Sequence, residues 1–490
     1  MRNIIVLLHA VFLISYADAP WVSNVRVSAD VPWDTLNQGE SCFAVYGDTI
    51  VSICNTAERG SVPIAPYAYS FDGGSSFTQI PFTDSTTGII WHTDPVIGVD
   101  DSGYVHMLIQ FSTSRLKHYM SRDGGQHWHD TSTVWSAGGV DKPWMVVNHN
   151  EIYIAWQQVS GSYGIRFAKS TDYGNTWSSS IIWSRTGITA LAMDESEVLH
   201  LGLVDGWPTG DIYYRQSTNY GTTWSSEVYL SNSYYNTGYG DRAPINSITA
   251  RSGNVFLTWV DSRTGNWDIY AVRSTNNGTT WSSRFIVNDI TTGGQCKGWS
   301  TFDAYGGLHV IYYHTPDWPT GPTSPFSLRY RYSGNAGSTF EPSMRVSDTE
   351  APSHADFIGE YHICVSDSQY LYAIWADGRN AGDNDLYFSK ALLSQLSRTE
   401  YRPPVIASRR LIEAPSIWRG DIMLMVNADQ GPVNINIYDA SGRLVMDQVT
   451  SVSTVQHHIR ISSSKLPAGV LFIWASNAKQ SEVIKVINLR

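Results

Sequence analysis

The stretch STDYGNTW (170–177) returns almost unchanged as STNYGTTW (217–224) and STNNGTTW (274–281). Looser copies are SFDGGSSF (70–77), SRDGGQHW (121–128) and SGNAGSTF (333–340). Their Asp or Asn positions, Asp72, Asp123, Asp172, Asn219, Asn276 and Asn335, are 51, 49, 47, 57 and 59 residues apart. A repeat of that length is the size of a four-stranded unit that needs neighbours to bury its faces. Each residue of the phrase has a local task. The Asp or Asn oxygen accepts hydrogen bonds from N–H groups of the turn that follows it. Gly supplies a positive φ that a side chain would resist. The closing Trp or Phe fills the gap between sheets. Alternating residues on both sides, as in IRFAKSTDYGNTW (165–177), read as a hairpin. The phrase carries the fold and touches no substrate.

Working outward, each copy follows a hairpin of a common type, such as WMVVNHNEIYIAWQQ (144–158) or INSITARSGNVFLTWV (245–260). A seventh hairpin, HICVSDSQYLYAIWAD (362–377), runs into DLYFSKAL (385–392) and ends without the phrase or an outer strand. The missing strand is expected at the other end of the chain. WVSNVRVSAD (21–30) reads like the strands that follow the phrase, FEPSMRVSD (340–348) and WSSRFIVND (281–289). Seven units result, the last completed by the N-terminal strand.

These residues resemble the Asp-box, or BNR, repeat of sialidases and other secreted propellers, over roughly residues 21–392. The resemblance implies an all-β protein, a seven-bladed β-propeller with Asp-box hairpins, one blade more than sialidases have.

After Leu393 the pattern changes. Residues 393–414 include the Pro- and Arg-containing RTEYRPPVIASRR (398–410) and read as a linker. Short alternating segments then follow to residue 490, with turn signals at DASG (439–442) and PAG (467–469), a size and pattern that suit a small C-terminal β-sandwich. NIYDASGRLV (436–445), LPAGVLFIWA (466–475) and VIKVINLR (483–490) together resemble the C-terminal sorting domain of the type IX secretion system. That resemblance, over residues 415–490, implies export by the type IX machinery and a secreted or outer-membrane surface location.

The other end agrees with export. Arg2 and the apolar run from Ile4 to Ile14 read as a signal peptide, residues 1–17, cut after Ala17. The apolar run is too short to span a bilayer, and no later segment is long enough to do so. With 44 acidic against 33 basic residues, the formal charge of −11 disfavours nucleic acid and anionic membranes as partners. Four cysteines show no metal spacing; Cys42 and Cys54, on successive expected strands, could pair or stay as buried thiols. No cofactor motif is present, and a Ca²⁺ site in the acidic loops has no EF-hand spacing to support it.

Chemistry is expected at the end of the propeller opposite the repeated phrase, where the loops joining units gather Asp, Arg, His, Tyr and Trp. Two loops repeat each other as W-x-D-x-R, at Trp259 to Arg263 and Trp375 to Arg379. Asp261 with Arg263, and Asp377 with Arg379, either brace their loops or present arginine to an anionic ligand. Trp207 and Trp267 are candidate stacking faces for a sugar. Asp-box sialidases hold a carboxylate with three arginines and use a Tyr nucleophile with Glu, and an Asp as acid or base. The resemblance makes Tyr239, Glu40 and Asp94 the catalytic candidates, and Arg59, Arg242, Arg263 and Arg379 the ligand-binding ones. The Arg-Ile-Pro phrase usual before the first box is absent; ERGSVPIAPYAYSFDGG (58–74) stands there, so Arg59 is a displaced candidate. Glu40 and Glu360 occupy matching Gly-Glu points of units one and seven, and His92 and His354 are further loop candidates. Two functions follow: a sialidase-like propeller that binds, and as an exo-glycosidase hydrolyses, an extracellular glycan or glycoprotein; or a non-catalytic adhesion and interaction scaffold.

Overall fold

The computed structural model describes residues 20–489 except 30–36, 57–64, 83, 85–91, 206–209, 235–245, 318–323, 353–358, 360, 381–382, 397–411, 414–416, 419–421, 428–430, 453–455, 463–464 and 478–480. The signal-peptide range 1–17 lies outside the described residues. The chain divides into two compact units, Met1–Tyr401 and Arg402–Arg490. Among the described residues both are built of strands, with one short helix, Leu393–Leu396, in the range expected as linker.

The first unit contains seven antiparallel sheets in succession. Their first strands are Gln38–Tyr46, His92–Val99, Val140–Asn148, Gly187–Met193, Asn246–Arg251, Gly294–Phe302 and Cys364–Ser366. In the first six sheets the next three strands of the chain pair in order, so each sheet is a four-stranded meander; a further short strand, Ala351–Pro352, joins the sixth. The seventh has only three strands from its own stretch, and Val25–Arg26 supplies the fourth, Val25 opposite Phe388 and Arg26 opposite Tyr387. The N-terminal strand therefore pairs where its likeness to the outer strands places it.

The second strand of each sheet lies between neighbouring sheets and is buried on both faces. In Glu151–Gln158, Ile152, Tyr153, Ile154, Ala155 and Trp156 are all 0% exposed, so this strand reads as a continuous apolar run and not as an alternating one. Ser41 of the first sheet forms a parallel bridge with His362 at the seventh, and Ser41 Oγ lies 2.8 Å from His362 Nδ1.

The repeated phrase forms the hairpin turn at the third-to-fourth strand junction. In all six copies the Asp or Asn Oδ1 accepts the N–H four residues on at 2.9 Å. A serine two residues earlier (Ser70, Ser121, Ser170, Ser217, Ser274, Ser333) donates its hydroxyl to the same Oδ1. That serine also accepts the N–H of the phrase's last Gly. This glycine does a second job besides its positive φ. A Cβ on Gly125, Gly174, Gly221, Gly278 or Gly337 would press on Val51, His118, Phe167, Tyr214 or Phe256 of the preceding sheet, and one on Gly74 would overlap Phe388 of the seventh. Each turn is thus docked on its neighbour, the first on the last.

In the second unit a three-stranded sheet (Ile412–Glu413, Ile422–Asn427, Gln456–Ile461) and a five-stranded sheet centred on Gly431–Asp439 and Gly469–Ser476 share one apolar core. Ile412, within the expected linker, is fully buried in that core. At the DASG turn, Asp439 accepts the Ser441 hydroxyl and the N–H groups of Ser441 and Arg443, bonds that lower its carboxyl to about 2.

Candidate functional site

In four sheets the first strand opens with a β-bulge, where the register skips between Gly39 and Cys42, Thr93 and Val96, Asp141 and Trp144, and Cys296 and Trp299. Within each bulge one residue adopts a positive φ: Glu40 (52°), Asp94 (46°), Lys142 (47°) and Lys297 (56°). All four are charged. Such a conformation costs a non-glycine residue roughly 1–3 kcal/mol and persists where its surroundings over-determine it. Strand direction puts these bulges at the end of the sheets opposite the repeated turns.

Three of the four charges meet. Lys142 Nζ lies 2.6 Å from Asp94 Oδ1 and 3.2 Å from Glu40 Oε1. Asn55 donates to Glu40 Oε2 and to Thr93 Oγ1, and the Thr93 hydroxyl donates to Asp94 Oδ2 at 3.0 Å. Glu40 is 2% and Asp94 3% exposed, so one ammonium and a small hydrogen-bond network compensate two buried carboxylates. Gly359 fits against the backbone of Gly39 and Glu40, where a Cβ would overlap the Glu40 nitrogen. Tyr361 donates to the Pro95 carbonyl, and burial, reinforced by Glu40 and Asp94, pushes its phenol well above the ordinary range. Tyr361 therefore stays a neutral donor at ordinary pH.

Two residues past the lysines, Trp144 and Trp299 come from the third and sixth sheets to ring centroids 4.6 Å apart, and Tyr361 from the seventh meets Trp144 edge-on at 5.7 Å. Ile188, Thr189 and Asn246, on the fourth and fifth sheets, complete a small pocket with these rings, Lys142 and Pro143. Side chains from five sheets converge there.

The sequence candidates fall into three groups. Glu40 and Asp94 are brought together, through Lys142. Arg59, Trp207, Tyr239, Arg242, His354 and Glu360 lie outside the described residues. Arg263, Arg379 and Trp267 are described and engaged elsewhere. Arg263 bonds both oxygens of Asp261 and the Asn232 carbonyl, and lies over the Tyr270 ring. Arg379 bonds Asp377, Asp348 and Asn24 and lies over Tyr387. Trp267 is a correction: it is 1% exposed and packed in the core, so it offers no face to a sugar. His92 is buried between Phe82 and Phe111 with neither ring nitrogen bonded among the described residues, and burial lowers its pKa while Asp84 opposes that shift. All four cysteines are buried and none is in a disulfide, so Cys42 and Cys54 are not bridged to each other. Among the described residues no group of three His, Cys, Asp or Glu side chains gathers as metal ligands, and no helix is long and apolar enough to cross a membrane.

Lys142, Lys297 and the two tryptophans escape the sequence reading. A signal was available: DKPW (141–144) and CKGW (296–299) share Lys-x-Trp at the same point of two units.

Residues 419–488 match the family model described as a secretion system C-terminal sorting domain. This match indicates export, to a secreted or cell-surface location, and interaction with the type IX secretion machinery. No curated protein matches the sequence. Similar solved structures include a protein of unknown function from Dyadobacter fermentans, 12% identical, covering 76% of this chain and 98% of that one at a TM-score of 0.46. The NanB sialidase of Streptococcus pneumoniae is 12% identical over 76% of this chain and 71% of its own, at a TM-score of 0.42. An α-L-arabinofuranosidase from Fusarium graminearum is 12% identical over 77% and 99%, at a TM-score of 0.44.

Proposed function

We propose that residues 21–392 form a seven-bladed Asp-box propeller, exported and held at or released from the cell surface, that binds an extracellular glycan at the bulged end of its inner strands. The observation that carries this reading is the placement of four strained, charged bulge residues at one end of the sheets, three of which meet. Strain of this kind clusters where a site must hold side chains in one geometry. An apolar wall with a few convergent polar groups is also the usual build of a small-molecule site. On the sialidase pattern, Glu40 and Asp94 act with Tyr239 in hydrolysis, and Arg59 and Arg242 face the ligand. The test is a glycan array with the purified exported chain, followed by a hydrolysis assay on every hit. Hits whose binding is lost in Glu40→Gln support the reading; a blank array with folded protein removes it.

A second reading, a non-catalytic adhesion scaffold, is favoured by the occupation of Arg263 and Arg379 in bonds to their own and neighbouring loops. Hits that are bound and never hydrolysed select it.

A further inference from the structure

Both amide atoms of Asn246 and the hydroxyl of Thr189 are buried and have no hydrogen-bond partner among the described residues. Asn246 is 1% and Thr189 5% exposed, and both line the pocket against Trp144, Trp299 and Tyr361. Burying an amide with neither its donor nor its acceptor paired is unfavourable, and such groups are rare in folded proteins. Leucine has the same branched, four-heavy-atom outline as asparagine and would remove the unpaired groups, so shape alone does not call for an amide here.

We infer that Asn246 and Thr189 form a subsite for a hydroxyl group of an uncharged sugar, an inference that rests on the glycan reading above and specifies its ligand. Three observations choose this chemistry. First, the pocket has room for a water-sized group to sit against these polar atoms. A single hydroxyl can accept from Asn246 Nδ2 and donate to Asn246 Oδ1 or Thr189 Oγ1. Second, the walls beside these groups are indole and phenol faces, which favour the carbon that carries the hydroxyl. A water meets the polar atoms equally well and leaves those faces without a carbon neighbour. Third, among the described residues the one charged side chain lining the pocket is Lys142, whose ammonium is already held by Asp94 and Glu40. Glu40, Asp94, Lys142 and Lys297 sum to zero formal charge, which gives a ligand carboxylate no net attraction. A site built to hydrogen-bond a hydroxyl discriminates strongly against ligands that leave its polar groups unpaired.

The full chain is titrated with the methyl glycosides of glucose, galactose and mannose and with their 6-carboxylate counterparts, then again as Asn246→Leu. At least one neutral glycoside is expected to bind tenfold or more tightly than its uronate. Asn246→Leu should weaken that binding at least tenfold while melting no lower than the parent protein. A uronate that binds as tightly as its neutral counterpart overturns the inference. So does affinity that survives Asn246→Leu, or a variant that melts lower, since Asn246 would then serve the fold. If none of the six binds while larger glycans bind on the array, the subsite is wrong and the glycan reading stands. A blank array removes both.

Discussion

The two ends of the sheets are built on different principles. At the turn end, six copies of one phrase make the same bonds, all between residues two to four positions apart in sequence. At the bulged end the four bulges carry Glu40, Asp94, Lys142 and Lys297, alike only in the two lysine sheets, and the ties are long: Lys142 reaches Asp94 across 48 positions and Glu40 across 102. One end repeats because each turn solves the same local problem. The other end differs sheet by sheet, as a site must when each wall contributes a different group to one ligand. Repetition thus marks the fold, and departure from repetition marks the candidate chemistry.

That contrast can be broken in several places. The largest effect is expected from deleting residues 20–29. Trp21 and Val27 are buried, Trp21 packs on Tyr330, and Ser28 and Arg26 bond Asp385, so this strand joins the sixth and seventh sheets. Losing Trp21 alone costs about 3–5 kcal/mol, and the deletion also opens a sheet edge. Aggregation or a large fall in melting temperature is expected; a truncated chain that melts like the full one would refute closure by this strand.

Next is Lys142→Met, which leaves two buried carboxylates facing each other and should cost about 3 kcal/mol. Adding Glu40→Gln and Asp94→Asn should recover much of that loss, which chemical denaturation would measure. Three losses that simply add would mean that the residues do not act as one network.

Asp172→Ala should cost about 1–3 kcal/mol through lost turn bonds to Ser170 and Thr176. Its effect should add to that of Lys142→Met, because one change is confined to a local turn and the other to the opposite end.

The smallest effect is a graded pH dependence. Burial, with His106 adjacent, holds His118 well below its ordinary value. The unfolded chain therefore takes up a proton near pH 6.5 that the folded one refuses, and stability should begin to fall as pH drops below about 6.5. Asp72, lowered by the Ser76 and Ser70 hydroxyls and the Ser76 N–H, adds a second loss starting near its unfolded value of about 4. Melting temperature from pH 8 to pH 3 should show the first decline removed by His118→Phe and the second reduced by Asp72→Asn.

The same contrast explains what could be read without coordinates. The turns were legible because Asp172, Gly174 and Thr176 act within one short window, and the completing strand because residues 21–30 copy the outer strands. The site was legible only in part. Glu40 stood out through the matching Gly-Glu of unit seven, whereas Lys142 was marked only by the Lys-x-Trp it shares with Lys297 three units away. Trp267 misled because an aromatic beside a Gly-Asn turn reads as exposed, while its neighbours in space bury it.

The central claim is that the turn end carries the fold and the bulged end the ligand. The direct measurement is affinity for the strongest array hit in Asp172→Ala and Glu40→Gln, each under conditions where the variant is fully folded. Asp172→Ala should bind within twofold of the parent protein and Glu40→Gln at least tenfold more weakly. Equal losses in both, or loss only in Asp172→Ala, would contradict the account.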